Sequence, residues 1–333
     1  MGLRLHPAAV LYAGGKRFPD LAACEHYAGS EKLLRKALAL QADRDLGGTT
    51  VFDITADCED GAPAGAEGAH AEMVAELVAC SDNRFGRVGV RVHDVCHAHW
   101  QADVEIILSR CAARIAYVVL PKAASEDDVA TQIAFIRQHA GGRDIPVHVL
   151  IETPGALRDV WRIAQLPQVE SLDFGLMDFV SAHHGAIPAT AMRSPGQFEH
   201  PLIARAKCDI ALASLGNGVV PVHNVSTELR DARAVYADAR RARLEFGYLR
   251  MWSIHPSQID PIVEAMQPDT DDILEACEIL VAAQDADWGP TRRRDTLHDR
   301  ASYRYYWELL RRARTTGVEL PAEIQTRFLA DPE

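Results

Sequence analysis

Six short motifs place ionisable side chains within or at the end of apolar runs, several of them near glycine or proline: DCEDGAP with Glu59 and Asp60, VRVHD with Arg91, LPK with Lys122, IETPG with Glu152, GLMDF with Asp178 and SIHP with His255. Glu152 and Asp178 carry the clearest chemistry. Two carboxylates whose remaining positions are left to water and substrate suit Mg2+, a hard cation that seldom takes an all-protein cage. Each acid could instead cap the turn that follows it, as strand-end carboxylates often do. Thr153-Pro154 after Glu152 supplies a rigid turn able to hold the carboxylate in place.

Arg91 lies in an apolar run, where an unpaired guanidinium is costly, so it needs an anion. A substrate carboxylate gripped by two parallel N–H bonds meets that need, and so does an ion pair with Glu59 or Asp60. Lys122 either helps to hold the same anion or pairs with a neighbouring acid. The histidines carry less. His93, His97 and His99 cluster without a cysteine pair, which favours surface or satisfied core positions over a zinc site. His183 and His184 follow the Asp178 turn and take no role, and His255 before Pro256 is expected to fix the last turn. Gly14-Gly15-Lys16-Arg17 matches neither a P-loop nor a dinucleotide turn. It either touches a phosphate through backbone amides and two cations or is a solvated glycine turn.

Elements able to bring these residues together follow from the apolar pattern. Short runs at residues 9–13, 51–54, 88–92, 117–120, 147–151, 172–176, 219–222 and 249–254 alternate with amphipathic stretches such as 67–80, 126–139 and 227–247. Strand, crossover and parallel strand, repeated eight times, predict a (β/α)8 TIM barrel, whose chemistry sits at the C-terminal strand ends. An open doubly wound sheet is the alternative, but no G-x-G-x-x-G follows the first run. Beyond residue 254 the periodicity is helical over 258–266, 272–286 and 300–315, and residues 285–299, with Gly289, Pro290 and the basic run 292–294, read as a loop. The expected organisation is a barrel over residues 1–270 and a C-terminal helical extension over 271–333.

Composition restricts the partners. Asp and Glu outnumber Lys and Arg 47 to 35, a net charge of −12 that argues against nucleic acid, whose phosphates need a basic face. No apolar run approaches the roughly 20 residues of a membrane span. Seven cysteines with no C-x-x-C pair suggest neither a disulfide framework nor a zinc ribbon, and point to a reducing, cytoplasmic setting.

Taken in order, DCEDGAP, VRVHD, LPKA, IETPGAL, GLMDF and IHPSQI resemble the family that contains the citrate lyase beta chain, malyl-CoA lyase and related Mg2+-dependent aldolases. The resemblance runs over most of the chain. It implies a barrel in which Glu152 and Asp178 hold Mg2+, Arg91 grips an oxo-acid carboxylate, and Glu59 and Asp60 support the metal site and its waters. It also implies that Asp299, at the end of TLHD, enters the active site of a neighbouring subunit as the catalytic base, in a homo-oligomer such as a trimer or hexamer. The implied activity is carbon–carbon lysis of a 3-hydroxyacyl thioester such as citryl-CoA or malyl-CoA to an oxo acid and an acyl-CoA. An aldolase acting on free 2-oxo acids and a non-catalytic oxo-acid-binding subunit are the alternatives. Three departures from the family are visible: DWGPTRRRDT before Asp299 where glycine-rich sequence is usual, His223-Asn224 where an aspartate is often found, and EGAHAE where a lysine and an arginine are common.

Overall fold

Eight parallel strands close on themselves in the computed structural model, which describes residues 5–12 and 18–329. They are β1 (Cys24–Ala28), β2 (Phe52–Asp57), β3 (Val88–Arg91), β4 (Val118–Leu120), β5 (Val147–Ile151), β6 (Val169–Phe174), β7 (Val220–His223) and β8 (Arg250–Ser253), each paired with its sequence neighbours and β1 with β8. Helices connect them. The barrel is the one expected, with one strand displaced. Residues 9–13 do not open it: Pro7–Leu11 is a short helix capped by His6, with proline at its start, where a missing N–H costs nothing. The true β1 reads CEHYA, and its Glu25 and His26 interrupt the apolar pattern. Gly14, Gly15, Lys16 and Arg17 lie outside the described residues.

Side chains alternate between the two faces of each strand. Val147, Val149 and Ile151 of β5 and Leu172 and Phe174 of β6 join the apolar cluster packed against the helices. The opposite face points into the barrel, and there the residues are ionic rather than the branched apolar layers usual in such barrels. Arg250 is fully buried, with Nη2 3.0 Å from Glu25 and Nη1 2.8 Å from Asp53. Arg87 pairs with Asp53 at 2.6 Å, and His148 lies 3.6 Å from Glu25 and stacks on Tyr117. Gly89 makes room for this ring, because a Cβ there would lie 2.1 Å from Tyr117. Burial works against an ionised Glu25, yet Arg250 and His148 hold it below the ordinary carboxylate range, at about 2.

Removing Arg250 takes a cation from each of two buried carboxylates, leaving Asp53 to Arg87 and Glu25 to His148. Arg250→Met is therefore expected to destabilise the barrel by about 3–5 kcal/mol, the cost of breaking a buried ion pair from one side. Urea denaturation checks this, and a midpoint equal to wild type would show the network to be dispensable.

Residues 21–266 form one compact unit, and residues 1–20 with 267–333 form another. The boundary differs from the expected one at 270 chiefly because the N-terminal residues group with the C-terminal extension. Trp288 Nε1 donates to the Leu5 carbonyl at 3.0 Å, and Arg311 Nη2 donates to the Phe18 carbonyl at 2.8 Å. Helices Thr270–Asp285 and Arg300–Thr315 supply Leu280, Tyr303, Trp307 and Leu310 to the core of this second unit. The segment read as a loop contains an antiparallel hairpin, Thr291–Arg293 with Thr296–His298. No described helix is long and apolar enough to cross a membrane.

Candidate active site

The site begins with a residue not singled out from the motifs. Asp57 ends β2 opposite Arg91 of β3 in the parallel register, so the two side chains share the inner face. Its carboxylate accepts from Arg91 Nε at 2.8 Å and Nη2 at 2.5 Å, and also from the backbone N–H groups of Glu59 and Gly61. Glycine is required at 61, where a Cβ would come within 2.3 Å of Asp57 Oδ2. Glu59 lies 3.1 Å from Arg91 Nη1. Burial opposes the Arg91 charge, but Asp57 and Glu59 keep it firmly protonated. Asp57 takes the side edge of the guanidinium, Nε and Nη2. Glu59 lies against the remaining nitrogen, Nη1, so a substrate carboxylate would share the guanidinium with these two acids. Of the two protein partners expected for Arg91, Glu59 is there, whereas Asp60 turns to Lys122.

Lys122 follows β4 with φ of 49°, in the left-handed region that favours glycine. This backbone aims its N–H at Glu152 Oε1, 2.7 Å away, while Nζ sits 2.6 Å from Glu59 and 2.8 Å from Asp60. Partial burial works against its charge, but Asp60 and Glu59 raise its pKa above the usual lysine value. A lysine so held is an ammonium, not a nucleophilic amine.

Glu152 follows β5 and is 2% exposed. Thr153 starts the helix Pro154–Arg158 by accepting the Ala156 N–H at 3.0 Å, which anchors the turn carrying Glu152. The carboxylate rests against Gly175, where a Cβ would lie 2.3 Å from Oε2. Asp178 stands half-buried in the first turn of the helix Leu176–Ser181, after β6. Burial and the Asp178 charge raise the Glu152 pKa to about 8. A buried carboxylate with a single backbone donor, whose ionisation the neighbouring Asp178 opposes, forms with that acid a site that a divalent cation would satisfy. A second trio, Glu25, His148 and Asp173, can bring three donor atoms within 4.8 Å of one another. It suits a cation poorly, because the Arg250 guanidinium already lies against Glu25.

The histidines take structural positions. His93 Nδ1 lies 2.6 Å from Asp103, His93 stacks on His97, and His183 Nδ1 bonds the Phe179 carbonyl. His255 caps the turn Pro256–Gln258 in a reciprocal arrangement with Gln258, as expected. In the second unit, Asp299 is exposed and caps the helix Arg300–Thr315, accepting the Ala301 N–H at 3.0 Å while Ser302 accepts its own N–H.

Residues 48–256 match the family described as HpcH/HpaI aldolase/citrate lyase. A citrate lyase from Burkholderia xenovorans LB400 is similar over 97% of this chain and 100% of its own, with 57% identity and a TM-score of 0.83. The L-malyl-CoA/beta-methylmalyl-CoA lyase of Cereibacter sphaeroides is 27% identical over 213 residues, 60% of this chain and 66%, just under two thirds, of that protein. The CitE protein of Mycobacterium tuberculosis, solved with magnesium, acetoacetate and coenzyme A, shares the fold at 22% identity and a TM-score of 0.66, over 88% of this chain and 98% of its own.

Proposed function

The chain belongs to the HpcH/HpaI aldolase/citrate lyase family, and we propose that it is a Mg2+-dependent carbon–carbon lyase that cleaves or forms a 3-hydroxyacyl thioester, such as citryl-CoA or malyl-CoA. The products of cleavage are an oxo acid and an acyl thioester. The observation that carries the reading is the buried Glu152 beside Asp178, with Arg91, fixed by Asp57, near it. Relatives whose names specify malyl-CoA lyase, and a fold neighbour solved with magnesium and coenzyme A, support it.

Glu152 and Asp178 would hold Mg2+, which when bound supplies Lewis-acid polarisation of the oxo-acid carbonyl. Arg91, oriented by Asp57, binds the oxo-acid carboxylate, and the Lys122 ammonium adds positive charge beside it. In cleavage the hydroxyl proton passes to a base, the C–C electron pair moves onto the α-carbon of the thioester, and that carbon is then protonated. Glu59 and Asp60, tied to Lys122, order water at the mouth. Asp299 of a neighbouring copy in a cytoplasmic homo-oligomer exchanges the α-proton. The fully charged Lys122 suits a route without a covalent imine.

Product analysis tests the proposal. Release of acyl-CoA together with an oxo acid from malyl-CoA or citryl-CoA is expected. Turnover restricted to free hydroxy-oxo acids would make the chain an aldolase instead, and Mg2+-dependent oxo-acid binding without turnover would make it a binding subunit. Arg91→Lys keeps the charge but loses the paired N–H bonds, so oxaloacetate affinity at fixed Mg2+ should fall by about one to two decades, for roughly 1.5–3 kcal/mol. Calorimetry reads the change. Unaltered affinity would confine Arg91 to its pair with Asp57.

A further inference from the structure

A cavity of about 590 Å3 opens where β3, β4 and β5 begin, at the end of the barrel opposite the catalytic mouth. Its wall carries four arginines, Arg84, Arg87, Arg114 and Arg143, against two acids, Asp144 and Glu170. In a chain of net charge −12 this is a local reversal of sign.

Pairing does not cancel it. Arg87 is matched by Asp53, and Glu170 is engaged by His148 at 3.3 Å. Arg114 donates to the Asn83 carbonyl and Arg143 to the Ala112 carbonyl, contacts that fix the two guanidinium groups but bring no negative charge. Among the described residues, Arg84, Arg114 and Arg143 form no ion pair. Three cations therefore face a concave surface with Asp144 as the remaining acid. A guanidinium anchored by one N–H keeps others for a ligand, and concave walls concentrate the field of such a group. The volume is that of a small-molecule site.

We infer that this cavity binds a small, multiply charged oxyanion, carrying phosphoryl or several carboxylate groups, at a site separate from the catalytic mouth. Bonding the Asn83 and Ala112 carbonyls gives Arg114 and Arg143 each one partner. It does not explain why three uncompensated cations share one hollow with Arg84.

The test is calorimetric titration of the metal-free protein with pyrophosphate and, separately, with citrate. The wild type, Arg84→Gln/Arg114→Gln and Arg91→Lys are compared. At least one probe should bind saturably, once per chain, and weaken about ten- to hundredfold in the double variant while Arg91→Lys leaves it unchanged. The tighter probe assigns the ligand as phosphoryl or carboxylate. Glutamine retains a donor for the carbonyls, and Arg84→Gln alone, at an exposed and unpaired position, serves if the double variant does not fold. Absence of saturable binding by both probes, binding indifferent to the arginine substitutions, or binding lost instead in Arg91→Lys would overturn the inference.

Discussion

Glu152→Gln should abolish Mg2+-dependent turnover while leaving the barrel folded, with Mg2+ affinity reduced by ~10²-fold or more, beyond the loss usual for a partner outside the ligand shell. The amide keeps the shape of the side chain and an oxygen for the Lys122 N–H. What it loses is the charge a cation needs. The same substitution has a second signature in metal-free protein. Glu152 titrates at about 8 in the folded chain against an ordinary 4.5, because burial and Asp178 disfavour its ionised form. Between these values the folded state binds more protons than the unfolded one, so the contribution to stability is full below about pH 4.5 and is lost as pH rises through about 8. That loss is on the order of a few kcal/mol. The substituted amide does not titrate, so the variant's stability advantage in EDTA should grow between about pH 5.5 and 8.5. Urea midpoints at the two pH values and calorimetric Mg2+ titration measure both effects. Equal metal affinity in the two proteins would remove Glu152 from the metal site.

Asp299→Ala is expected to lower the rate by ~10²–10⁴ if Asp299 supplies the proton-transfer group to a neighbouring copy. Its hydrogen bonds to the start of the helix Arg300–Thr315 predict something milder, a loss of about 1 kcal/mol in stability with chemistry untouched. The two roles are separable. Asp299→Ser retains an N-cap oxygen but not a carboxylate, so it should restore stability without restoring rate. Mixing Asp299→Ala with Glu152→Gln subunits, after dissociation and reassembly, should regain activity at interfaces that combine an intact aspartate with an intact metal pair. Normal turnover by Asp299→Ala, or silent mixed oligomers confirmed by mass spectrometry, would leave Asp299 as a helix cap alone.

Seven strands were legible because they lie in short apolar runs, most of which give Val, Ile, Leu or Phe, and β8 Met251, to the core packed against the helices. β1 was not, because polarity on its inner face answers to Arg250, far away in sequence. The same cause hid the ionic interior. Glu25, Asp53, His148, Asp173 and Arg250 each look like one polar interruption of a strand, and only closure of the barrel brings them together. At the candidate site, Glu59, Asp60, Lys122 and Glu152 announced themselves through glycine- and proline-flanked strand ends, and Arg91 as a charge inside an apolar run. Asp57 escaped because the acid pair Glu59-Asp60 beside it drew the assignment. Strand alternation with the β2–β3 register would have identified it as the same-face neighbour of Arg91.

The left-handed backbone at Lys122 places two demands on one position. A residue with no Cβ would adopt φ of 49° without steric cost, whereas a side chain there stores roughly 1–3 kcal/mol. Glycine would leave the Glu152 N–H contact in place, yet it would strand Glu59 and Asp60 without the ammonium that joins them. The position is thus held away from its most relaxed occupant by the chemistry beside it.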